Sequence, residues 1–189
     1  MSKRALRAEM RARRRALSPA IQRRHAMLLA GHIARLPQFR LARRVAMYWA
    51  CDGEIDLAPL MRLAWRRRKQ VFLPRLQRGG GMCFAELRPG RKMLRNHYGI
   101  PEPALNAPEV KVGKLDLVLA PLVAFTRKGE RLGMGGGYYD RTLVGSRAHL
   151  VGVAHSCQQV ERLPGDPWDV AMALVITEKG AVRPPFQSA

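Results

Sequence analysis

Apolar positions along this chain change period several times, and each change predicts an element. Across residues 3–17, Leu6, Met10 and Leu17 fall on one narrow stripe at a helical 100° per residue. Lys3, Arg7 and Arg14 flank that stripe, so their heads are predicted near the seam between the helix and the protein body. Ser18-Pro19 supplies a cap and a first-turn proline for a second helix over 19–36, with apolar positions at Ile21, Leu28, Leu29 and Ile33. Strands and helices then alternate. A strand is expected over 45–50, and a helix over 56–69 with Leu57, Leu60, Met61 and Ala64 facing the core. A short strand over 70–74 ends at proline, Gly79-Gly80-Gly81 turns the chain, and 82–87 reads as a strand on an antiparallel edge. Residues 98–108 form a proline-rich connection, 115–121 a buried strand and 139–144 a helix; 149–155 and 173–177 complete the sheet.

This alternation predicts an α/β fold: a single-domain three-layer sandwich over residues 1–189, with a mostly parallel central sheet flanked by helices. Ligands of such folds bind at the carboxyl ends of the strands. Cys51-Asp52-Gly53-Glu54, a glycine loop at 133–137 and the segment 155–158 are all expected at that end.

At 47% hydrophobic and 25% charged the composition is that of a soluble globular protein. The net charge of +20 changes the picture, because such a surplus attracts nucleotides, polycarboxylates, nucleic acid or acidic membranes. It is concentrated: residues 2–24 hold nine Lys or Arg against one acid, Glu9. A second run, Arg66 to Lys69, reads as a solvated helix end. Three scattered cysteines, Cys51, Cys83 and Cys157, make no disulfide framework and point to a reduced, cytoplasmic chain. No apolar run is long enough for a signal peptide or a membrane span. The arginine-rich start also fits a transit peptide, but its flanking cations suit a role in the mature protein.

Residues 121–141, PLVAFTRKGERLGMGGGYYDR, hold five glycines within nine positions: Gly129, Gly133, Gly135, Gly136 and Gly137. A glycine loop between a strand and a helix suits a polyphosphate. The Walker loop is excluded, since no lysine plus hydroxyl follows, and the dinucleotide fingerprint is excluded because Tyr138 stands where its third glycine belongs. Arg131 and Arg141 bracket the loop with fixed cations, and Asp140 offers the hard oxygen that magnesium takes. A plain flexible loop is the competing reading. His155 and Cys157 share a strand face but read as loop contacts, and His25, His32, His97 and His149 lack metal-ligand spacing.

The chain carries, in order, the blocks KRALR, DGEID, FLP, YGIPEP, PLVAFTRKGERLGMGGGYYDRTL, VGVAHSCQQVERLP, WD and VITE. Together these blocks resemble the 5-formyltetrahydrofolate cyclo-ligase family, also called 5,10-methenyltetrahydrofolate synthetases, almost end to end. The resemblance implies ATP- and magnesium-dependent conversion of 5-formyltetrahydrofolate to 5,10-methenyltetrahydrofolate, with ADP and phosphate released. It implies ATP contacts from Lys3, Arg4, Ala5, Leu6 and Arg7 and from Arg131, Leu132, Gly133, Met134, Gly135, Gly136, Gly137, Tyr138 and Tyr139. It implies folate contacts from Trp49, Glu54 and Tyr98 together with residues 134–138, magnesium ligands at Asp140 and Asp169, and charge stabilisation by Arg131 and Arg141. Two positions depart from the family's usual pattern: Thr126 replaces aspartate, and Leu57 replaces threonine. A monomer is expected, with 5-formyltetrahydrofolate and ATP as its partners. A nucleic-acid-binding protein using the basic helix, or a non-catalytic folate or nucleotide binder, are the alternatives. No RNA motif or aromatic platform accompanies the basic segment.

Overall fold

A parallel sheet covered on both sides needs strands that are apolar on both faces, and this chain supplies them. The computed structural model describes residues 1–77, 80–164 and 172–184. Strands β1 (Arg44–Ala46), β2 (Gln70–Leu76) and β3 (Met82–Leu87) come first. A small hairpin of β4 (Met93–Arg95) and β5 (Pro101–Pro103) follows, then β6 (Glu109–Val110), β7 (Leu117–Pro121), and a second hairpin of β8 (Ala124–Phe125) and β9 (Arg131–Leu132). Last come β10 (His149–Val153), β11 (Val175–Thr177) and β12 (Gly180–Val182). Eight strands form one sheet in the order β12-β11-β10-β7-β1-β2-β3-β6. Strands β11, β10, β7, β1 and β2 run parallel, while β12 and β3 turn antiparallel at the two sides.

Alternation along the strands builds the three layers. Val45, Met47, Val71, Leu73, Leu117, Leu119, Val151, Val153 and Ile176 enter one core. Helices α2 (Pro19–Arg35), α3 (Pro37–Leu41) and α4 (Ala58–Arg66) close that side. The intervening Ala46, Phe72 and Val118 point to the opposite face, where Leu143 of α5 (Tyr138–Leu143) meets them. Helix α1 (Lys3–Arg15) lies apart from both layers: Leu6 and Met10 pack on Val123, Ala124 and Leu132 around the β8–β9 hairpin. Among the described residues no helix is long and apolar enough to cross a membrane.

Several expected boundaries move for identifiable reasons. The first strand ends at Ala46 rather than at 50, because the chain leaves the sheet to turn at Asp52 and Gly53, both at positive φ. The second strand runs through Pro74; β1 has already ended opposite Phe72, so the missing N–H falls where no neighbour on that side needs it. Residues 98–108 are not a plain connection, since β5 within them pairs with β4. In α2, Ala26, Leu29, Ala30 and Ile33 face the core, but Ile21 and Leu28 are exposed. The run at 66–69 is not wholly solvated: the Lys69 ammonium donates to the carbonyls of Arg40 and Ala42 at the end of α3. Leu57 is buried, and Asp56 takes over at the helix start by accepting from the Ala58 N–H. Thr126 donates its hydroxyl proton to Glu130 and accepts from the Lys128 N–H, so it closes the β8–β9 turn. Gly129 belongs to that turn, which separates it from the rest of the glycine loop.

Candidate active site

The carboxyl ends of β1, β7 and β10 lie side by side, and the loops leaving them meet α1. The pattern Leu6, Met10, Arg14 repeats every four residues, so Arg14 continues the buried stripe of the helix. It is fully buried. Its Nε donates to the Asp52 carbonyl at 2.7 Å and its Nη2 to Asp52 Oδ2 at 2.9 Å, with Glu54 Oε1 3.7 Å away. Arg11 donates to the same Asp52 carboxylate at 2.6 Å, and Arg15 completes the clasp. These three arginine contacts hold the Asp52 carboxyl below the ordinary carboxylate range, against the opposing effect of partial burial. Gly53 sits at φ 76, where its α-hydrogens face the Arg14 carbonyl; a Cβ there would stand 3.2 Å from that oxygen in a strained conformation.

Glu54 lies beside this clasp, against Arg14. It accepts the Cys51 N–H at 3.1 Å, and burial raises its pKa more than Arg14 lowers it. Three buried side-chain atoms lack a partner among the described residues, and two of them belong to residues acting on Glu54: Nη1 of Arg14 and the Tyr139 hydroxyl. Unpaired buried donors are costly, so their grouping beside a buried carboxyl marks a site for a polar ligand. Burial and the Glu54 charge both push the Tyr139 phenol upward, keeping it a hydrogen-bond donor.

The glycine loop comes to the same place from β9. Arg7 donates from Nε to the Gly133 carbonyl at 2.9 Å. Gly135, at φ 103, lets the guanidinium lie against the loop; a Cβ there would stand 3.3 Å from Arg7 Cζ. Arg14 Nη2 is 4.0 Å from Met134 Sδ, which ties the loop to the Glu54 side. Arg131 is buried and paired with Asp140 on the first turn of α5. Arg141 is exposed, donates to the carbonyls of Gly136 and Gly80, and lies 5.4 Å from the Tyr138 ring centre. A hydrogen bond to Tyr138 raises the phenol of the exposed Tyr98, which brings the YGIPEP segment to the loop.

The expected site residues therefore divide. Arg7, Glu54, Tyr139 and residues 133–138 gather around one region, with Trp49 half exposed on the neighbouring loop; Lys3 is half-buried on the first turn of α1. Leu6 and Leu132 do not offer side chains to a ligand, because they are buried against each other and fasten α1 to the hairpin. The Ala5 N–H is already taken by Ser2 Oγ, and Arg4 is exposed on the helix. Asp169 lies outside the described residues. Arg11, Arg14, Arg15 and Asp52 were missed as site residues; the four-residue spacing from Leu6 through Met10 was the signal for Arg14.

No thiol here is poised for nucleophilic attack. Burial and Glu54 push Cys51 up to about 12, and Cys157 is also raised by burial. His155 is fully buried and its pKa is pushed down to about 4, by burial first and then by His25. Glu178 and the Gly53 carbonyl pull the other way. The unfolded chain thus binds a proton near pH 6.5 that the folded chain refuses until about pH 4. Stability contributed by the neutral ring is complete above the unfolded value and is lost as pH falls through this window, by up to about 3 kcal/mol. Denaturant unfolding at neutral pH and near pH 4.5 should show this loss in the parent protein and a shallower one in His155→Gln. Equal slopes in the two proteins would assign the effect to the carboxylates instead.

Fold and site together define a class: an α/β protein with a basic helix and a glycine loop closing on a buried carboxyl at the ends of parallel strands. Comparison with known proteins makes the class specific. Residues 1–178 match the 5-formyltetrahydrofolate cyclo-ligase family. The chain is 40% identical over 174 residues to the 5-formyltetrahydrofolate cyclo-ligase of Escherichia coli K12, covering 89% of this chain and 96% of the relative. It is 39% identical over 173 residues to that of Haemophilus influenzae, covering 88% and 92%. The solved structure of Aquifex aeolicus 5,10-methenyltetrahydrofolate synthetase superposes with a TM-score of 0.88 at 34% identity, covering 100% of this chain and 96% of that one. The chain belongs to the 5-formyltetrahydrofolate cyclo-ligase family and is an enzyme of the ligase class.

Proposed function

We propose that the protein uses ATP, with magnesium, to convert 5-formyltetrahydrofolate to 5,10-methenyltetrahydrofolate. The observation that carries this reading is the meeting of Arg7 and the glycine loop with the Arg14–Glu54 pair at one end of the sheet. One side suits a polyphosphate, the other a ring system with hydrogen-bond donors. The γ-phosphoryl group moves from ATP to the formyl oxygen, ADP departs, and the phosphorylated oxygen becomes a leaving group. N10 then attacks the formyl carbon, the carbon–oxygen bond breaks, phosphate departs and N10 loses its proton. Such chemistry asks the protein for alignment and charge neutralisation rather than for a nucleophile. That requirement agrees with the raised thiols of Cys51, Cys83 and Cys157.

Lys3, Arg7 and the loop N–H groups hold the phosphates in this proposal, and Arg131 and Arg141 balance charge as it shifts. Glu54 accepts from the pterin nitrogens, while Arg14 Nη1 and the Tyr139 hydroxyl donate to its acceptors. Trp49 and Tyr98 wall the rings. The residues present fit a hard divalent ion, since the half-exposed Asp140 offers carboxylate oxygens beside the loop. Magnesium usually takes one or two carboxylates and completes its shell with phosphates and water. Asp140, with Asp169, would hold it, and the bound ion would neutralise phosphate charge.

The first test is appearance of methenyl absorbance when the protein is mixed with 5-formyltetrahydrofolate and Mg-ATP. No absorbance from folded protein would leave only a binding role. Asp140→Asn should raise the magnesium concentration needed for half-maximal turnover and lower the turnover, with the fold intact. Unchanged titration curves would remove Asp140 from the metal site. Glu54→Gln should weaken folate binding more than ATP binding by calorimetry, and equal losses for both ligands would contradict its assignment to the pterin.

A further inference from the structure

Behind the active-site loop lies a cluster of donors that the reaction above does not use. His25 of α2, His155 after β10 and Glu178 after β11 present ligand atoms that all lie within 4.8 Å of one another. The two Nδ1 atoms are 2.8 Å apart, and Glu178 Oε2 is 3.9 Å from His25 Nδ1. Two imidazole nitrogens at bond lengths of 2.0–2.1 Å around a tetrahedral ion stand about 3.3 Å apart. The cluster therefore needs only small adjustments to enclose one ion.

We propose that His25, His155 and Glu178 bind one borderline transition-metal ion of the zinc class, at a site distinct from the magnesium carboxylates. Three features support it besides the distances. The Nε2 of His155 faces the Gly53 carbonyl at 3.1 Å, so it carries the proton and leaves the Nδ1 lone pair pointing into the cluster. A ring N–H bonded to a carbonyl is the usual way a metal-binding histidine is oriented. Glu178 is likewise held, with Oε2 accepting the Ser156 N–H at 2.9 Å and Oε1 the Ser156 hydroxyl. Each oxygen keeps a further lone pair for an ion. In the empty cluster one proton sits between the two Nδ1 atoms and belongs to His25, because His155 Nε2 already bears the His155 proton. Transfer of that proton to His25 Nε2 frees both Nδ1 lone pairs with no net release. The donor set of two imidazoles and a carboxylate suits zinc, cobalt or nickel better than magnesium, and leaves a fourth position for water. His25 is partly exposed, which gives an ion a route in. An ion here would fasten α2 to the ends of β10 and β11, against the loop that carries Glu54.

The test uses the full chain after chelator treatment, titrated with Co²⁺ alone. The expected result is one equivalent bound with a tetrahedral or five-coordinate visible spectrum. His25→Ala and Glu178→Gln should each weaken binding by about tenfold or more with unchanged circular dichroism. Zn²⁺ should raise the thermal midpoint of the parent protein and leave that of His25→Ala where it was. His25 is only partly buried, so its variant keeps the test meaningful even where His155→Ala fails to fold. Absence of binding, equal affinity in parent and variants, or displacement by millimolar Mg²⁺ would each overturn the proposal. So would a near-ultraviolet thiolate-to-cobalt band, which would place the ion on Cys51 or Cys157.

Discussion

Replacing Lys3 and Arg7 together with alanine should raise the Michaelis constant for ATP by on the order of tenfold or more per residue. The estimate takes each as one charge-assisted hydrogen bond worth roughly 1.5–3 kcal/mol. Arg7 already lies against Gly133 and Gly135, so a phosphate in that loop would meet a cation held in place. Arg4, exposed on the same helix, is the matched control and should leave ATP kinetics nearly unchanged. Arg11 and Arg15 need separate treatment. They grip Asp52, so their loss should act on the Glu54 loop and on folate before it acts on ATP. If the basic helix served RNA instead, all these cations would contribute comparably, and binding would fall steeply with salt while ATP kinetics stayed normal. Steady-state kinetics and RNA binding on the Lys3/Arg7 and Arg4 variants separate the two outcomes. Normal ATP kinetics in the double variant would remove the segment from the active site.

Arg14→Met should be the most damaging single change to stability among those considered, because it takes the cationic partner from the buried Glu54, while Asp52 keeps Arg11 and Arg15. The Arg14 side chain is fully buried, and those of Asp52 and Glu54 are 15% and 7% exposed. Removing one partner of such a group costs about 3–5 kcal/mol, because the remaining charges keep their desolvation penalty. At this chain length the thermal midpoint should drop on the order of 10 °C. The deficit should narrow on mild acidification. Burial already raises Glu54, and loss of Arg14 removes an opposing effect, so Glu54 takes up a proton at a higher pH. Glu54→Gln in the Arg14→Met background should recover part of the loss for the same reason, in a double-mutant cycle. A midpoint within a degree or two of the parent would show that water reaches these groups and that the clasp contributes little.

The local half of this molecule was legible along the chain because it depends on neighbours a few positions away. Ser18 caps α2 through the Ile21 N–H with Pro19 in the first turn, as the Ser-Pro pair predicts. Leu57, Leu60, Met61 and Ala64 repeat at helical spacing and are all buried. A short strand was expected over 70–74 and a buried one over 115–121, and both lie inside the sheet rather than at an edge. The short elements were harder. The β8–β9 hairpin has two residues per strand, and β5 reads Pro-Glu-Pro, so neither offers a period to recognise. Their pairing comes from partners elsewhere in the fold.

The chain order alone therefore determined the fold class, the glycine loop, the basic helix and the family to which they belong. Only the tertiary structure decided which groups face one another. Arg7 reaches Gly133 across 126 positions, Arg14 reaches Asp52 across 38, and His25 meets His155 across 130. No periodicity encodes such pairs. They exist because the strand order β10-β7-β1 places the ends of separated segments side by side, while α1 packs on the hairpin beyond those ends and α2 covers the adjoining face of the sheet. Charge followed the same division. Composition gave the surplus of cations, whereas burial decided that Arg14 became the anchor of a carboxylate pair while Arg4 remained on the surface.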